Sequence, residues 1–453
     1  MAQRKFRFSS ALTAFGWRKN VGISVDENGM IEKIVGDAKD GTLISGVAIP
    51  AVPNIHSHAH QRLMVGLAER AGPGADSFWT WRDVMYGFAL KLSPEDLEAV
   101  ATQAYVEMLK SGFSCVGEFQ YLHHQPDGSA YDEPAEMSLR CISAAEQAGI
   151  AITMLPTLYN YSGFGGQAST AGQRRFVNDA ERFLEIYGTL KAVCGANPLR
   201  RLGISPHSLR AVTLELLKTV LNGIEGDARV HIHVAEQTRE VDDCVAWSGK
   251  RPVEFLLDQF DVSGRWCAIH ATHITAGETQ RLAKSGAVAG LCPTTEANLG
   301  DGIFPADTFT KQGGVIAIGS DSQITISPAE DLRMLEYSQR LRDRTRNALA
   351  SGAGASTGHS LLEAVLKGGA ACLDQPMGAI AVGKRCDIAV LDNEHPAMIG
   401  RAGDAALDTW IFSAGNAAVK DVIVGGSHVV KDRRHNDEER IQKKFSETAR
   451  RLS

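Results

Sequence analysis

Two histidines that are two residues apart, His56 and His58, follow an apolar stretch of the sequence and could share a metal ion. Side chains at positions i and i+2 of a β-strand point from the same face, so both imidazoles would leave one strand end side by side. The preceding segment, residues 43–52, is apolar and β-branched, as expected of a buried strand. A lone His-x-His pair also fits two polar residues at a loop mouth, so the interpretation depends on further candidate ligands.

A second pair of histidines with strand spacing, His231 and His233, occurs in the apolar run that starts at Val230. Both imidazoles face the same way, and only one of them need be a ligand. His233 lies nearer the strand end, so we assign the metal to it and expect His231 to lie deeper, hydrogen-bonded within the fold. Glu236 is out of phase with a continuing strand, so we expect it in the loop over the pocket, as an acid beside the metal.

His270 and Asp321 each follow another apolar run without a second ligand at strand spacing. Alone, each fits a structural role, but together with the two histidine pairs they complete a metal site. Three imidazoles and a carboxylate with one open position are typical of a Lewis-acid site. We therefore expect one divalent ion, Zn²⁺ with Fe²⁺ as the alternative, and its ligands are His56, His58, His233 and Asp321. Such an ion lowers the pKa of bound water to about 7; Asp321 could accept that proton, and His270 could orient the water.

The elements that must position these residues alternate between short apolar strands and longer helical segments, from about residue 47 to residue 374. Eight alternations predict a parallel sheet and suit a closed (β/α)₈ barrel, whose active site forms at the carboxyl ends of the strands. The alternative, an open doubly wound sheet, lacks its usual glycine-rich nucleotide motif here. The predicted strands are Val47–Pro53, Cys115–Phe119, Ala151–Leu158, Leu202–Ser205, Val230–Val234, Trp266–Ile269, Ala287–Leu291 and Val315–Ile318.

The two ends of the chain contain short strand-like stretches separated by glycine turns, which is typical of a small β domain. We predict a β-sandwich domain built from both termini, residues 1–46 and 375–435. The barrel then spans residues 47–374, and residues 436–453 form a charged helical tail.

The composition argues against several classes of function. The 453 residues are 44% hydrophobic and carry a formal net charge of −6, which does not favour a nucleic-acid or anionic-membrane surface. No stretch approaches the roughly 20 apolar residues of a membrane span, and the N-terminus lacks the apolar core of an export signal. The eight cysteines include no Cys-x-x-Cys pair, so we expect reduced, buried thiols in a cytoplasmic protein.

These candidate ligands, taken together, resemble those of the amidohydrolase superfamily, whose barrels hold one or two metals between strands one, five, six and eight. The resemblance spans almost the whole chain, and it includes the segment Gly378–Gly383 that returns such chains to their β-sandwich. Two-metal members carry a bridging lysine at the end of the fourth strand, and the segment 202–210 has no lysine. The spacing His233-x-x-Glu236 resembles the one-metal deaminase branch. There the catalytic residues match Glu236, His270 and Asp321, and the glutamate protonates the substrate nitrogen.

A more detailed resemblance is to the formimidoylglutamate deiminase family, iminohydrolases of histidine degradation. The matching segments are Asn54–Arg62, Asp76–Arg82, Glu118–His124 and Ser205–Arg210. The resemblance implies that N-formimidoyl-L-glutamate is hydrolysed to N-formyl-L-glutamate and ammonia. It also implies five substrate-contacting residues, which are Gln61, Arg82, Tyr121, His207 and Arg210. Arginine suits this role because its planar guanidinium binds carboxylates through two hydrogen bonds.

Two other functions remain open. A deaminase of a purine or related heterocycle would use the same metal chemistry with a pocket built for a planar ring. A non-catalytic scaffold would have no use for the complete set of acid, base and ligand residues. The expected partner is a small dicarboxylate rather than nucleic acid or a membrane, and the sequence leaves a homodimer open. The Trp-rich segment around Trp79–Trp81, which carries Arg82, could instead serve packing or subunit contact.

Overall fold

The computed structural model of the chain describes residues 4–70 and 78–452. Its strands, in chain order, are β1 (Arg4–Thr13), β2 (Gly16–Val25), β3 (Ile31–Val35), β4 (Thr42–Pro50), β5 (Val52–Ser57), β6 (Phe113–Gln120), β7 (Ala151–Leu158), β8 (Tyr161–Gly163), β9 (Gln167–Ala168), β10 (Arg200–Pro206), β11 (Arg229–Val234), β12 (Trp266–His270), β13 (Val288–Leu291), β14 (Val315–Ile318), β15 (Ile388–Leu391), β16 (Val419–Val424), β17 (Ser427–Lys431) and β18 (Arg434–His435).

The helices alternate with the middle strands. They are α1 (Phe78–Ala89), α2 (Pro94–Ser111), α3 (Glu136–Ala148), α4 (Ala180–Gly195), α5 (Leu214–Asn222), α6 (Thr238–Ser248), α7 (Pro252–Gln259), α8 (Ala276–Ser285), α9 (Pro293–Leu299), α10 (Ala306–Lys311), α11 (Pro328–Asp343), α12 (Thr357–Cys372), α13 (Asp404–Thr409) and α14 (Glu438–Leu452).

Eight parallel strands form the predicted barrel, in the order β5-β6-β7-β10-β11-β12-β13-β14. The first and last strands meet at their carboxyl ends, where a parallel bridge joins Ser57 to Asp321. The backbone amide of His58 donates to the Asp321 carbonyl at 3.0 Å, and the amide of Asp321 donates to the His56 carbonyl at 3.0 Å. The barrel therefore closes at the carboxyl ends of its strands, the active-site pole, where the candidate ligands were expected. This closure confirms the (β/α)₈ fold.

The first predicted strand, Val47–Pro53, is divided between two sheets. Residues up to Pro50 belong to β4, which pairs with β1 and β15 outside the barrel. The barrel strand β5 begins at Val52 and pairs with β6. The prediction of a single strand was wrong because the run stays apolar and buried across Ala51, so hydrophobicity does not reveal where the chain leaves one sheet for the next.

The second sheet combines both ends of the chain, in the order β18-β17-β16-β15-β4-β1-β2-β3. Its inward side chains form a hydrophobic cluster separate from that of the barrel, and this cluster includes Phe8, Ile23 and Ile388. A buried ion pair between Arg385 and Asp387 lies where the sheet meets the barrel, and the hydroxyl of Ser114 donates to the Asp387 carboxylate at 3.1 Å. This sheet fits the small β domain, while the domain limits remain a prediction.

The last helix, α14, packs against α2. Lys110 forms an ion pair of 2.6 Å with Glu438, and Ile441 of α14 is buried.

Helix α2 has clear end signals in the sequence. Ser93 caps its first turn by accepting from the Asp96 amide, and Gly112 ends it at a φ of 104°, a value that favours glycine. These ends fix the point at which β6 enters the barrel.

Two expectations from composition can be compared with the structure. All eight cysteines are buried free thiols. None of the helices in ranges 4–70 and 78–452 is long and apolar enough to cross a membrane.

Candidate active site

Three buried imidazoles converge at the carboxyl end of the barrel. His56 lies one residue before the end of β5, His58 directly follows that strand, and His233 lies one residue before the end of β11. One ring nitrogen of each lies within 4.8 Å of the other two. The Nε2 atoms of His56 and His233 are 3.0 Å apart. The structure thus brings together the three predicted histidine ligands.

The remaining ring nitrogens of His58 and His233 show which tautomers these two imidazoles adopt, whereas Nδ1 of His56 has no hydrogen-bond partner among the described residues. Nδ1 of His58 donates to the Phe119 carbonyl at 2.9 Å, and Nδ1 of His233 donates to the His207 carbonyl at 2.9 Å. Their Nε2 lone pairs therefore face the common centre, an arrangement usual for metal-ligating histidine. Burial lowers the pKa of all three, that of His56 to about 3, so the rings are neutral donors.

Asp321 supplies a carboxylate to the same centre. Its Oδ1 lies 3.4 Å from the Nε2 atoms of both His56 and His58, and its Oδ2 lies 3.7 Å from Nε2 of His270. Burial opposes ionisation, but the neighbouring imidazoles hold the pKa of Asp321 well below its usual range. Three neutral imidazoles and one ionised carboxylate form a donor set that fits a borderline divalent cation such as Zn²⁺.

An acid–base group lies beside this donor set. Glu236 Oε1 is 3.8 Å from Nε2 of His270, and Nδ1 of His270 donates to Glu296 at 3.2 Å. Burial raises the pKa of Glu236 to about 7. For His270, burial works against the cation, but the carboxylates of Glu236, Glu296 and Asp321 raise its pKa to about 10. The site therefore contains a carboxyl that exchanges protons near neutral pH and an imidazolium beside it.

Glu296 was missed in the sequence. It lies on α9, five residues after the end of β13, the seventh barrel strand. Its position in the chain could have identified it. The segment Cys292-Pro-Thr-Thr-Glu296 follows the seventh predicted barrel strand, for which no polar candidate was named.

The backbone is strained at three of the strand ends that carry site residues. Ala235, His270 and Asp321 have φ values of 51°, 67° and 47°. Residues other than glycine rarely adopt this left-handed region, and they persist there when the surrounding structure determines the conformation. The strain turns Glu236, His270 and Asp321 off the strand direction and toward the pole. Hydrophobic periodicity carries no signal for such turns.

A buried chain of hydrogen bonds fixes the closure of the barrel beneath the ligands. Asn54 donates to the Ser320 hydroxyl at 2.7 Å, which donates to Gln323 Oε1 at 2.9 Å. Gln323 Nε2 donates to Ser57 Oγ at 3.0 Å, and Ser57 donates to Glu118 at 2.7 Å. All five side chains are at most 1% exposed. The chain connects the loop of His56 and His58 to the loop of Asp321.

Three of the predicted substrate-contacting residues lie next to the histidine cluster. Gln61 Nε2 donates to the Tyr121 hydroxyl at 2.9 Å, and that hydroxyl is 2.9 Å from His60 Nε2. His207 packs edge-on against the His233 ring, with centroids 4.9 Å apart. Gln61, Tyr121 and His207 are thus beside the cluster formed by His56, His58, His233 and Asp321, which we call the metal-type cluster. Asp76 and Ser77, in the motif that ends at Arg82, are outside the described residues.

Both predicted substrate arginines have an unpaired donor. The Nε–H groups of Arg82 and Arg210 are buried and have no hydrogen-bond partner among the residues described. Arg210 Nη2 lies 3.9 Å from Glu236 and 3.8 Å from Glu240, which are long contacts for an ion pair. Buried donors without partners carry a free-energy penalty, so they point to a ligand that would accept from them.

His231 lies deeper in the barrel, as its strand position predicts. Its Nε2 donates to the Cys372 carbonyl at 2.9 Å. The thiols of Cys267 and Cys372 lie close by, all three residues being buried. This group offers three donors where a closed structural zinc site has four, so it is best described as packed core.

Comparisons with known proteins agree with this geometry. A family model described as "Amidohydrolase family" matches residues 47–429. The chain is 51% identical, over 96% of its own length and 96% of the relative's, to the formimidoylglutamate deiminase of Pseudomonas aeruginosa. A crystal structure of an amidohydrolase from Brucella melitensis superposes with a TM-score of 0.94 at 46% identity, covering 99% of this chain and 100% of that one.

A more distant structure shares the fold. It is an adenosine deaminase from Xanthomonas campestris with bound zinc, which superposes with a TM-score of 0.82 at 20% identity and covers 100% of this chain and 98% of that one. The family match spans most of the sequence, including the strands that carry the cluster of histidines and Asp321. The chain belongs to the amidohydrolase family.

Proposed function

We propose that this chain hydrolyses N-formimidoyl-L-glutamate to N-formyl-L-glutamate and ammonia, a step of histidine degradation. The observation that carries the proposal is a metal-type cluster beside the guanidiniums of Arg82 and Arg210, whose Nε–H groups are buried without partners among the described residues. A dicarboxylate with a formimidoyl group meets both needs. The proposal also agrees with the name of the P. aeruginosa relative, which is 51% identical over nearly the whole chain.

We assign one divalent ion to the site, Zn²⁺ with Fe²⁺ as the alternative, held by His56, His58, His233 and Asp321. The neutral imidazoles and the ionised carboxylate fit such an ion. When bound, the ion supplies Lewis-acid activation of a water molecule. A single ion fits the residues that follow β10, because the segment 202–210 has no lysine to bridge a second one.

The catalytic roles follow from position. In the proposed reaction, the water oxygen adds to the formimidoyl carbon while Asp321 accepts the water proton. Glu236, with a pKa raised by burial to about 7, protonates the imine nitrogen. The hydroxyl of the resulting tetrahedral species returns its proton to Glu236, the carbon–nitrogen bond breaks as the proton held by Asp321 moves to the nitrogen, and ammonia departs. His270, cationic because of its carboxylate neighbours, stabilises the negative charge that develops on the oxygen.

The substrate carboxylates face the arginine side of the pole. Arg210, closest to Glu236, binds one carboxylate, and Arg82 on α1 binds the other. Gln61, Tyr121 and His207 complete the contacts, and burial keeps the Tyr121 pKa well above its usual value, so its hydroxyl stays protonated. None of these groups touches the reacting carbon, and they orient it by holding the rest of the substrate.

The setting proposed for the enzyme follows from this substrate. We infer a cytoplasmic metabolic enzyme whose partner is a small dicarboxylate, with no role for nucleic acid or a membrane. A homodimer is the assembly we propose to test first, by measuring the mass of the chain in solution.

The second candidate is a deaminase of a purine or related ring. It rests on the shared fold of a protein described as an adenosine deaminase. The unpartnered Nε–H groups of Arg82 and Arg210 argue against it, since a neutral ring provides no carboxylates for them. A scaffold without activity is disfavoured by the intact set of acid and ligand residues.

An ammonia-release assay distinguishes these candidates. Wild-type chain is supplied in parallel with N-formimidoyl-L-glutamate, adenosine and guanine, and the products are identified by NMR. We expect ammonia and N-formyl-L-glutamate from the first compound only. Faster release of ammonia from a purine would favour the second candidate instead.

A further inference from the structure

Three guanidiniums from different elements surround the indole of Trp79. The Cζ atoms of Arg82, Arg239 and Arg210 lie 4.5, 4.8 and 6.0 Å from the centroid of the ring. Each lies within the range of a cation–π interaction, which is strongest for tryptophan. The sequence analysis assigned roles to Arg82 and Arg210, but Arg239 was not singled out.

Arg239 differs from the other two in its exposure. It lies in the first turn of α6, three residues after Glu236, and its side chain is 66% exposed. Its only carboxylate neighbour among the described residues is the exposed Asp243, whose Oδ2 is 3.6 Å from Nε in an i,i+4 pair. Such exposed pairs hold a charge weakly. Arg239 therefore presents a solvent-exposed positive charge, paired only with the exposed Asp243, next to the Trp79 ring.

Three like charges on one ring repel one another. Among the described residues, no carboxylate forms an ion pair with Arg82, Arg210 makes two long contacts with buried carboxylates, and Arg239 has one exposed partner, so positive charge remains at the edge of the pocket. A patch of one sign next to a buried pocket raises the local concentration of ligands of the opposite sign and increases their rate of association. A ligand with two carboxylates gains more from this patch than an otherwise similar ligand with one.

We propose that Arg239 is a specificity-determining residue that recruits dicarboxylate substrates to the site. This inference rests on the proposed function and identifies a residue that selects among formimidoyl compounds. Arg239 acts during association, through its charge, while Arg82 and Arg210 hold the bound carboxylates. It is therefore expected to affect KM and to leave kcat near its wild-type value.

The test compares Arg239→Ala and Arg239→Lys with a matched control, Arg440→Ala. Arg440 is also an exposed arginine, paired with Asp437 at 3.1 Å, but it lies on α14, away from the pole. The substrates are N-formimidoyl-L-glutamate and N-formimidoylglycine, which has one carboxylate. Rates are measured at low salt and at about 0.5 M NaCl, where screening shortens the reach of a charge to a few ångströms.

At low salt, Arg239→Ala should lower kcat/KM for the glutamate derivative by about three- to tenfold, through KM, with a smaller effect on the glycine derivative. The lysine variant, which keeps the charge, should retain most of the activity, and high salt should reduce the difference. Arg440→Ala should match wild type in both conditions.

The inference is overturned if Arg239→Ala matches wild type, affects both substrates equally, or lowers kcat at constant KM. A lysine variant as poor as the alanine variant would also overturn it, since charge would then not be the cause. These outcomes differ from failure of the proposed function, in which wild type itself would not hydrolyse N-formimidoyl-L-glutamate.

Discussion

The two groups of residues at the active-site pole differ in how their polar atoms are paired, although Nδ1 of His56 among the metal-type residues also has no hydrogen-bond partner in the described parts of the chain. Beneath the metal-type cluster, the hydrogen bonds from Asn54 through Gln323 to Glu118 connect one strand end to the next. Among the predicted substrate contacts, the Nε–H groups of Arg82 and Arg210 and the amide oxygen of Gln61 are buried without a hydrogen-bond partner in the parts of the chain that the structure describes.

This difference separates positioning from binding. A buried donor or acceptor without a partner costs about 1–3 kcal/mol, so a fold tolerates it where a ligand supplies the partner. A continuous buried network, in contrast, fixes one arrangement of the groups attached to it. The metal side is therefore preorganised before any ligand arrives, and the substrate side keeps hydrogen-bonding capacity for the ligand. Variants on the two sides should consequently fail in different ways.

The largest expected effect is that of metal removal, which should disable the preorganised side and leave the fold intact. Dialysis against a chelator should lower kcat by at least about 10³-fold, since Lewis-acid activation contributes several kcal/mol to the rate. The far-ultraviolet circular dichroism spectrum should stay unchanged, and one equivalent of Zn²⁺ should restore activity. Retention of more than about a tenth of the rate, or a need for two ions per chain, would contradict the assignment.

Replacement of the proposed proton donor should give the next largest effect. Glu236→Gln keeps the shape of the side chain but cannot transfer a proton, so kcat should fall by about 10²–10⁴-fold. Metal content, measured by elemental analysis, should equal that of wild type because Glu236 lies outside the donor set. A metal-replete variant with near wild-type turnover would assign Glu236 a structural role.

A change beneath the ligands should loosen the metal rather than block the chemistry. Glu118 accepts from the Ala59 amide at 2.8 Å and from Ser57, so Glu118→Gln keeps one acceptor and places an amide group against a donor. Loss of such support typically lowers metal affinity by about 10–100-fold. Titration with a competing chelator measures the affinity, with the exposed Glu185→Gln as control. Unchanged affinity would show that the hydrogen-bond chain does not position the ligands.

Most of the barrel and the candidate ligands could be predicted from sequence because both rest on local patterns. Strand spacing places His56 and His58 on one face, and an apolar run identifies the strand before each ligand. The carboxyl ends of parallel strands then bring distant ligands together at one pole. For that reason His233 and Asp321, which are far from His56 in sequence, could be assigned to one site without knowledge of the coordinates.

The remaining features depend on contacts between distant segments, which no local pattern specifies. Glu118 sits within a β-strand and has no periodic signal of its role, since its partner Ser57 belongs to another strand. In the sequence, Arg239 has the pattern of an ordinary charged residue of a helix, and only the fold places it against Trp79. The division of the run Val47–Pro53 between two sheets is likewise decided by packing.

The most direct test of the account compares two substrates in two enzymes. The substrates are N-formimidoyl-L-glutamate and an analogue with a methyl group in place of the side-chain carboxylate, and the enzymes are wild type and Arg210→Ala. Loss of a hydrogen bond to a charged group costs roughly 1.5–3 kcal/mol, so Arg210→Ala should lower kcat/KM for the glutamate derivative by at least about tenfold, with metal content unchanged. Wild type should also prefer the dicarboxylate, and that preference should shrink in Arg210→Ala if Arg210 binds the side-chain carboxylate. The central claim is wrong if wild type uses both compounds equally or if Arg210→Ala hydrolyses the dicarboxylate at the wild-type rate. In either case the site does not recognise its substrate by the carboxylates.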